Sequence, residues 1–254
     1  MKTALTIAGS DPTGGAGFQA DLRTFSVLGV YGISVPSVLT AQSTEGVFRI
    51  QEIPPDFFAD QIDTLLRDIR PDALKTGMLY SEEIIKITAD MIQNYSLQNL
   101  VVDPVTVSST GVLLLQEGAP DAVKKYLFPL ATVITPNIYE ASVFTGVDIR
   151  NESDMEKAMI KLRDYGTKTV VITGGHMKEK AGDMLFDGED FLYIENEKLE
   201  GEFHGTGCIF SSVITACLAN GFSVKEAFIK AKEFVWNAMN RAVVPGKGLK
   251  ILNS

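Results

Sequence analysis

TALTIAGSDPTGGAGFQAD, residues 3–21, decides the architecture. Its first six residues mix β-branched and small apolar side chains and read as a buried strand. A turn containing Gly9, Gly14, Gly15 and Gly17 follows, and then Phe18, Leu22 and Phe25 fall at i, i+4 and i+7 on one helical face. Strand, glycine-rich turn and helix make the opening of a βα unit. The same alternation continues through DALKTGM (72–78), NLVVDPV (99–105), ATVITP (131–136) and KTVVITGG (168–175). Helical patterns cover 56–69, 81–94, 120–128, 138–145, 152–165, 206–219 and 224–241. Continuous apolar strands suit a parallel sheet covered on both faces, with right-handed crossovers. Two stretches depart from this pattern. Residues 31–44 and 47–53 read as paired strands with no helix between them, forming a lid or edge extension. Residues 183–195 read as a hairpin turning at Asp187-Gly188. With no linker, low-complexity tract or repeat, 1–254 is expected to be one domain.

The apolar content of 45% supplies a large core, and the formal net charge is −9, from 32 acidic and 23 basic residues. No basic patch or tail is present, so no nucleic-acid partner is expected. An anionic ligand would have to be held locally, by backbone amides or a metal. No apolar run approaches the roughly 18 residues of a membrane span, and the run before Asp11 is too short for a signal peptide. Cys208 and Cys217 sit on one predicted helix about 13 Å apart, beyond disulfide reach. Two reduced thiols fit the cytoplasm.

Ligands of open α/β sheets bind beyond the carboxyl ends of the strands. The first turn there, GSDPTGG, lacks the lysine of a P-loop and the spacing of a dinucleotide fingerprint. Its glycines serve either packing or close ligand approach. After later strands come Asp103, Asn137 and Glu140. Asn137 and Glu140 read as an N-cap and a carboxylate facing the helix dipole; with Asp103 they equally read as oxygen ligands for Mg²⁺. HGTGC, residues 204–208, precedes an apolar helix starting near Thr206, so Gly205 and Gly207 would expose free amides to an anion. At such a helix start the Cys208 thiol is expected to have a lowered pKa and to accept a proton. The alternative, a cysteine acting as a small hydrophobe, suits Cys217 better. His176 and His204 lack a third ligand at zinc spacing and read as loop hydrogen-bonding residues.

Taken in order, GSDPTGGAGFQADLRTF, TAQSTEGV, DALKTGML, VVDPV, ITPNIYEA, ITGGH and HGTGC resemble the hydroxymethylpyrimidine/phosphomethylpyrimidine kinases of thiamine biosynthesis. These belong to the ribokinase-like superfamily, which also holds pyridoxal kinases. The resemblance runs from Thr3 to about Gly248. It implies a three-layer α/β/α fold with a mainly parallel sheet and a small β lid. It implies transfer of the γ-phosphoryl group of ATP to 4-amino-5-hydroxymethyl-2-methylpyrimidine, and then to the resulting monophosphate. By the resemblance, Gly205, Thr206, Gly207 and Cys208 form the catalytic loop. Gly9, Asp21, Gln42, Met78 and Val105 meet the pyrimidine, with Asp21 and Gln42 hydrogen-bonding its ring. ATP lies along Asn137, Thr173, Gly175 and His204, and Mg²⁺ lies near Asp103 and Glu140. Two positions depart from the family pattern: Ser109 and Thr173 stand where many relatives carry lysine. Gln42, in TAQST, favours the pyrimidine over pyridoxal, and the intact GTGC loop argues against a non-catalytic binding paralogue. The resemblance also implies a homodimer, and the uncovered 31–53 strands invite pairing.

Overall fold

In the computed structural model, which describes residues 1–108, 110–175 and 181–253, the opening segment folds as β1 (Thr3–Ala8) and α1 (Gly17–Val27). The chain continues through β2 (Tyr31–Pro36), β3 (Val38–Ser43), β4 (Gly46–Glu52), α2 (Pro55–Asp68), β5 (Ala73–Thr76), α3 (Glu82–Asn94) and β6 (Leu100–Val102). Next come α4 (Ala119–Ala122), which runs on in a π turn and a 3-10 turn to Leu130, then β7 (Val133–Ile134), α5 (Ile138–Thr145), α6 (Glu152–Arg163) and β8 (Thr169–Gly174). The last elements are β9 (Ala181–Phe186), β10 (Phe191–Asn196), β11 (Phe203–His204), α7 (Thr206–Ala219), α8 (Val224–Asn240) and β12 (Lys250–Ile251). Ser109 and His176 lie outside the described residues.

The main sheet has eight strands in the order β10-β9-β8-β7-β6-β5-β1-β2. All pairings from β2 to β8 are parallel, while β9 and β10 add an antiparallel edge. Side chains alternate between two cores. Leu5, Leu74, Val102, Ile134 and Ile172 face the cluster shared with α2, α3, α5 and α6. Ala4, Ala73, Val101, Val133 and Val171 face α7 and α8. Every residue of α7 from Ile209 to Ala219 is buried, as expected of a helix apolar all round. Because β1 pairs with β2 on one side and β5 on the other, the chain reverses direction across the sheet at β1. The crevice beyond its carboxyl end is the place for a ligand.

The expected pair of strands at 31–44 and 47–53 is not one ladder. The first segment breaks at Ser37. Tyr31–Pro36 runs parallel to β1 as the edge of the main sheet, while Val38–Ser43 leaves it and pairs antiparallel with β4. Pro36 offers no N–H to continue a ladder, and the Ser37 hydroxyl donates to the carbonyl of Met78 at 2.6 Å, which turns the chain. The 183–195 hairpin forms as expected. Asp187 caps its loop by accepting from the amides of Glu189 and Asp190 at 3.0 and 2.9 Å. Among the described residues no helix is long and apolar enough to cross a membrane.

Candidate active site

Gly205 caps α7 with φ +85°, and a Cβ there would lie 1.8 Å from the carbonyl oxygen of Gly15. This glycine therefore has a packing reason: it lets the start of α7 sit directly against the glycine-rich turn. A Cβ at Gly207 would meet nothing within 4 Å, and the residue is exposed, which leaves room for a group to approach the backbone there. Cys208 is half-buried beside it. The expectation of a lowered thiol pKa is not met. Burial pushes the thiol up to about 12; Lys75 opposes this, while Asp103 and Asp21 reinforce it. The helix terminus does not overcome desolvation with two carboxylates close by.

Beneath the helix start lies a residue that went unnoticed in the sequence. Lys75, in the centre of β5, is fully buried. Its Nζ reaches Asp21 Oδ1 and Ser211 Oγ at 2.8 Å each, the carbonyl of Cys208 at 3.3 Å and Ser212 Oγ at 3.4 Å, with Asp103 Oδ2 at 3.9 Å. Desolvation alone would lower its pKa, but the surrounding charges, Asp21 first, hold it above the ordinary lysine value. Asp21 cannot serve a ring ligand as expected. It is buried, its Oδ1 also accepts from Ser212 at 2.7 Å, and its Oδ2 accepts from Thr6 at 2.6 Å. A lysine inside the apolar strand DALKTGM was itself the signal, since a buried ammonium requires partners. Ser211-Ser212 in an otherwise apolar helix was the matching one.

Asp103 follows β6, and Glu140 lies in the first turn of α5, beyond β7. Glu140 closes a capping box with Asn137, accepting from its amide at 2.9 Å while its own amide donates to Asn137 Oδ1 at 2.9 Å. Its other oxygen accepts from the amide of Thr106 at 3.2 Å. Burial, and then the charge of Asp103, raise the carboxyl to about 8. Asp103 is raised as well by burial, against the pull of Lys75, and its Oδ2 accepts from Ser211 at 2.9 Å. Around the pair, the hydroxyls of Thr76, Thr106 and Thr135 are buried without a partner among the described residues. Two desolvated carboxylates, with unsatisfied hydroxyls at the neighbouring strand ends, suit a hydrated, oxygen-coordinated cation such as Mg²⁺. No cluster of three or more histidine, cysteine or acidic ligands occurs among the described residues. Asn137 bridges to Thr173 at the end of β8, next to exposed Gly175, so these three residues share one rim. Behind it Asp183 accepts from the amide of Gly174 at 2.9 Å and pairs with Lys232 at 3.0 Å, both buried.

His204 is not on that rim. Its Nε2 lies 2.7 Å from Asp11 Oδ2 and 3.2 Å from the Gln42 amide, so it joins the hairpin side of the site. There Val38, Met78 and Leu114 form a third apolar cluster, with Val47, Ile50, Tyr80 and Val105 packed against it. Gly9 adjoins it: a Cβ there would sit 2.9 Å from Val38 and 3.2 Å from the Met78 sulfur. Gly9, Met78 and Val105 thus meet at one apolar wall. Gln42, Val47, Ser108, Thr110 and His204 line a common cavity beside it.

Residues 11–253 match the family described as phosphomethylpyrimidine kinase. The chain belongs to that family. It is 44% identical over 97% of its length to the thiamine biosynthesis bifunctional protein ThiED of Geobacter sulfurreducens, and spans 51% of that longer protein. It is 40% identical to the hydroxymethylpyrimidine/phosphomethylpyrimidine kinase of Bacillus subtilis, covering 96% of this chain and 92% of the relative. Among solved structures, the pyridoxal kinase of Staphylococcus aureus in complex with AMP-PCP superposes with a TM-score of 0.92 at 38% identity, covering 99% of this chain and 93% of that one. The fold is ribokinase-like, as the motif order implies.

Proposed function

We propose that this chain is an ATP-dependent kinase that phosphorylates the hydroxymethyl group of an aminopyrimidine and then the resulting monophosphate. The observation that carries this reading is the placement of Gln42 on the hairpin opposite Val47, which packs against the wall of Met78 and Val105, with the Gln42 amide against His204, the residue before the loop Gly205–Cys208. An apolar ring fits the wall, and the amide both donates and accepts. The acceptor oxygen attacks the γ-phosphorus of ATP, the bond to the β-phosphate oxygen breaks, and the hydroxyl proton passes to Cys208 as thiolate. The amide of Gly207 and the start of α7 stabilise the transferring group; a loose transition state needs positioning and charge more than a strong base. Asp103 and Glu140 would hold Mg²⁺, which neutralises phosphate charge when bound. Asn137, Thr173 and Gly175 form the nucleotide rim, with Asp183 and Lys232 bracing it. In the second step the acceptor phosphate is already ionised and needs no base.

The likeness to a pyridoxal kinase structure supports pyridoxal as the competing substrate. Steady-state ATP turnover with each compound separates the two: a higher kcat/KM for pyridoxal rejects the pyrimidine reading, and no turnover with either rejects a kinase. The proposed unit is one cytoplasmic catalytic domain, 1–254, acting as a homodimer. Leu39 and Phe48 leave their apolar side chains on the outside of the hairpin, Phe48 73% exposed, and Leu113 does so on the adjoining segment. Pairing across this patch would close the pyrimidine pocket against water. Sedimentation equilibrium of the liganded protein at micromolar concentration tests it, and a species of 27.6 kDa would sink the dimer.

A further inference from the structure

Gln42 sits at a β-bulge on the hairpin, between two groups that dictate how its amide must lie. As placed, the amide nitrogen is 3.2 Å from His204 Nε2 and the amide oxygen 3.3 Å from Thr40 Oγ1. The same Nε2 is 2.7 Å from Asp11 Oδ2. Asp11 is buried at the heart of the glycine-rich turn. It accepts from the amides of Thr13 and Ala16 at 2.9 and 2.8 Å and from the Thr13 hydroxyl at 2.8 Å. Burial alone would raise its pKa, but the hydrogen bonds of His204 and Thr13 outweigh it and hold the carboxyl below its ordinary value. An ionised carboxylate only accepts, so His204 Nε2 carries a hydrogen. A protonated ring nitrogen cannot accept from an amide NH₂, and two donors would face each other.

Amide oxygen and nitrogen have the same shape, so the hydrogen-bond network decides between them. Turning the Gln42 amide over puts its oxygen against His204 Nε2–H, which it shares with Asp11. Its NH₂ then faces Thr40 Oγ1. That hydroxyl gives its own hydrogen to the carbonyl of Ser10 at 2.9 Å and keeps a lone pair for the amide. Every group then has one consistent role.

We propose that Asp11 and His204 are positioning residues that fix which way round Gln42 presents its amide, and so select the ring that the pocket accepts. The remaining edge of a locked amide offers one acceptor beside one donor, in a set order. It matches a ring with an amino N–H next to a bare ring nitrogen. Such a ring binds one way round, which decides whether its hydroxymethyl arm points to Cys208. The inference rests on the proposed pyrimidine substrate for its consequence, and not for its geometry.

Long-range ¹H–¹⁵N NMR of the apo protein reads the tautomer directly. The chain has two histidines, so His176→Gln assigns the spectrum. The expected result is a hydrogen on His204 Nε2; a bare Nε2 overturns the proposal. In kinetics, Asp11→Asn and His204→Asn are each expected to raise the pyrimidine KM about tenfold, leave the ATP KM unchanged, and lower the pyrimidine-to-pyridoxal ratio of kcat/KM about tenfold, as loss of one oriented hydrogen bond implies. An unchanged ratio in variants that melt like the wild type overturns the selecting role. A wild-type protein that ignores the pyrimidine rejects the proposed substrate instead, while the tautomer still decides the amide.

Discussion

Lys75 and Gln42 both reach the start of α7, one to the carbonyl of Cys208 at 3.3 Å and the other to the ring of His204 at 3.2 Å. Lys75 does so from inside the main sheet, fully buried, with its partners drawn from α1, α7 and the end of β6. Gln42 does so from a two-stranded hairpin outside that sheet, tied down by Ser37, Thr40 and a contact of Thr44 with the 246–249 segment. The difference separates two tasks. Charges buried in the floor hold the helix terminus in place and are costly to disturb. On the proposed reading the hairpin chooses the ligand through a few exchangeable hydrogen bonds, and changes there should leave the fold intact.

The strongest way to break this division is Lys75→Met. Removing the cation leaves Asp21 and Asp103 buried without their counter-charge, which typically costs about 3–5 kcal/mol. Urea denaturation measures it, and a loss below about 1 kcal/mol would mean that the floor does not depend on the ion pair.

Next in size is Cys208→Ala, expected to lower kcat of the first transfer at least tenfold, more than about 1.4 kcal/mol, with the fold and nucleotide affinity retained. The wild-type pH profile sharpens the point. With the thiol pushed up to about 12, the thiolate is a minor form at neutral pH. The first transfer should therefore quicken steadily from about pH 6 to 9, while the second, onto an ionised phosphate, stays nearly flat. A first-step plateau across that range removes Cys208 as base.

The same contrast governs what the sequence reveals. Helices at 138–145 and 206–219 and the strand at 3–8 match the structure residue for residue, because periodicity and capping are local properties. The break at Ser37 was invisible, because one alternating run feeds two different sheets and only the contact with Met78 decides where it divides. Met78, Val105 and Gly9 gather at one wall, and Asn137 with Thr173 at one rim. Asp21 and His204 fall elsewhere, since a carboxylate or an imidazole in a motif carries no mark of which neighbour will claim it. Lys75 and Asp11 claim these two from 54 and 193 residues away.

On the hairpin side the expected effects are smaller. Gln42→Leu should weaken binding of the aminopyrimidine by about 1–3 kcal/mol, because a buried polar edge of the ring loses its partner. Calorimetry reads the affinity, and the melting temperature should stay within about a degree or two of wild type. Unchanged affinity would take Gln42 out of the site, and a large drop in melting temperature would make the hairpin part of the floor.

The smallest effect probes the seam between the two regions, where Glu140 sits under Thr106. Its carboxyl is raised from an ordinary 4.5 to about 8 by burial and the charge of Asp103. Between those pH values the folded protein keeps a proton that the unfolded chain has lost, so stability must fall as pH rises through this window and level off above it. Asp103 and Asp183, also raised, add to the fall over their own ranges, whereas the lowered Asp11 acts in the opposite sense in acid. Glu140→Gln isolates one term. The variant should be about 1 kcal/mol less stable near pH 5, because its NH₂ cannot accept from one of the two backbone amides that Glu140 serves. Its stability should then decline less steeply than the wild type's up to about pH 8. Melting curves of the two apo proteins across that range make the comparison, and parallel declines would show that Glu140 is ionised throughout. Adding nucleotide with Mg²⁺ should flatten the wild-type decline, because a bound cation favours the ionised carboxylate, and should flatten the variant's less, through Asp103 alone.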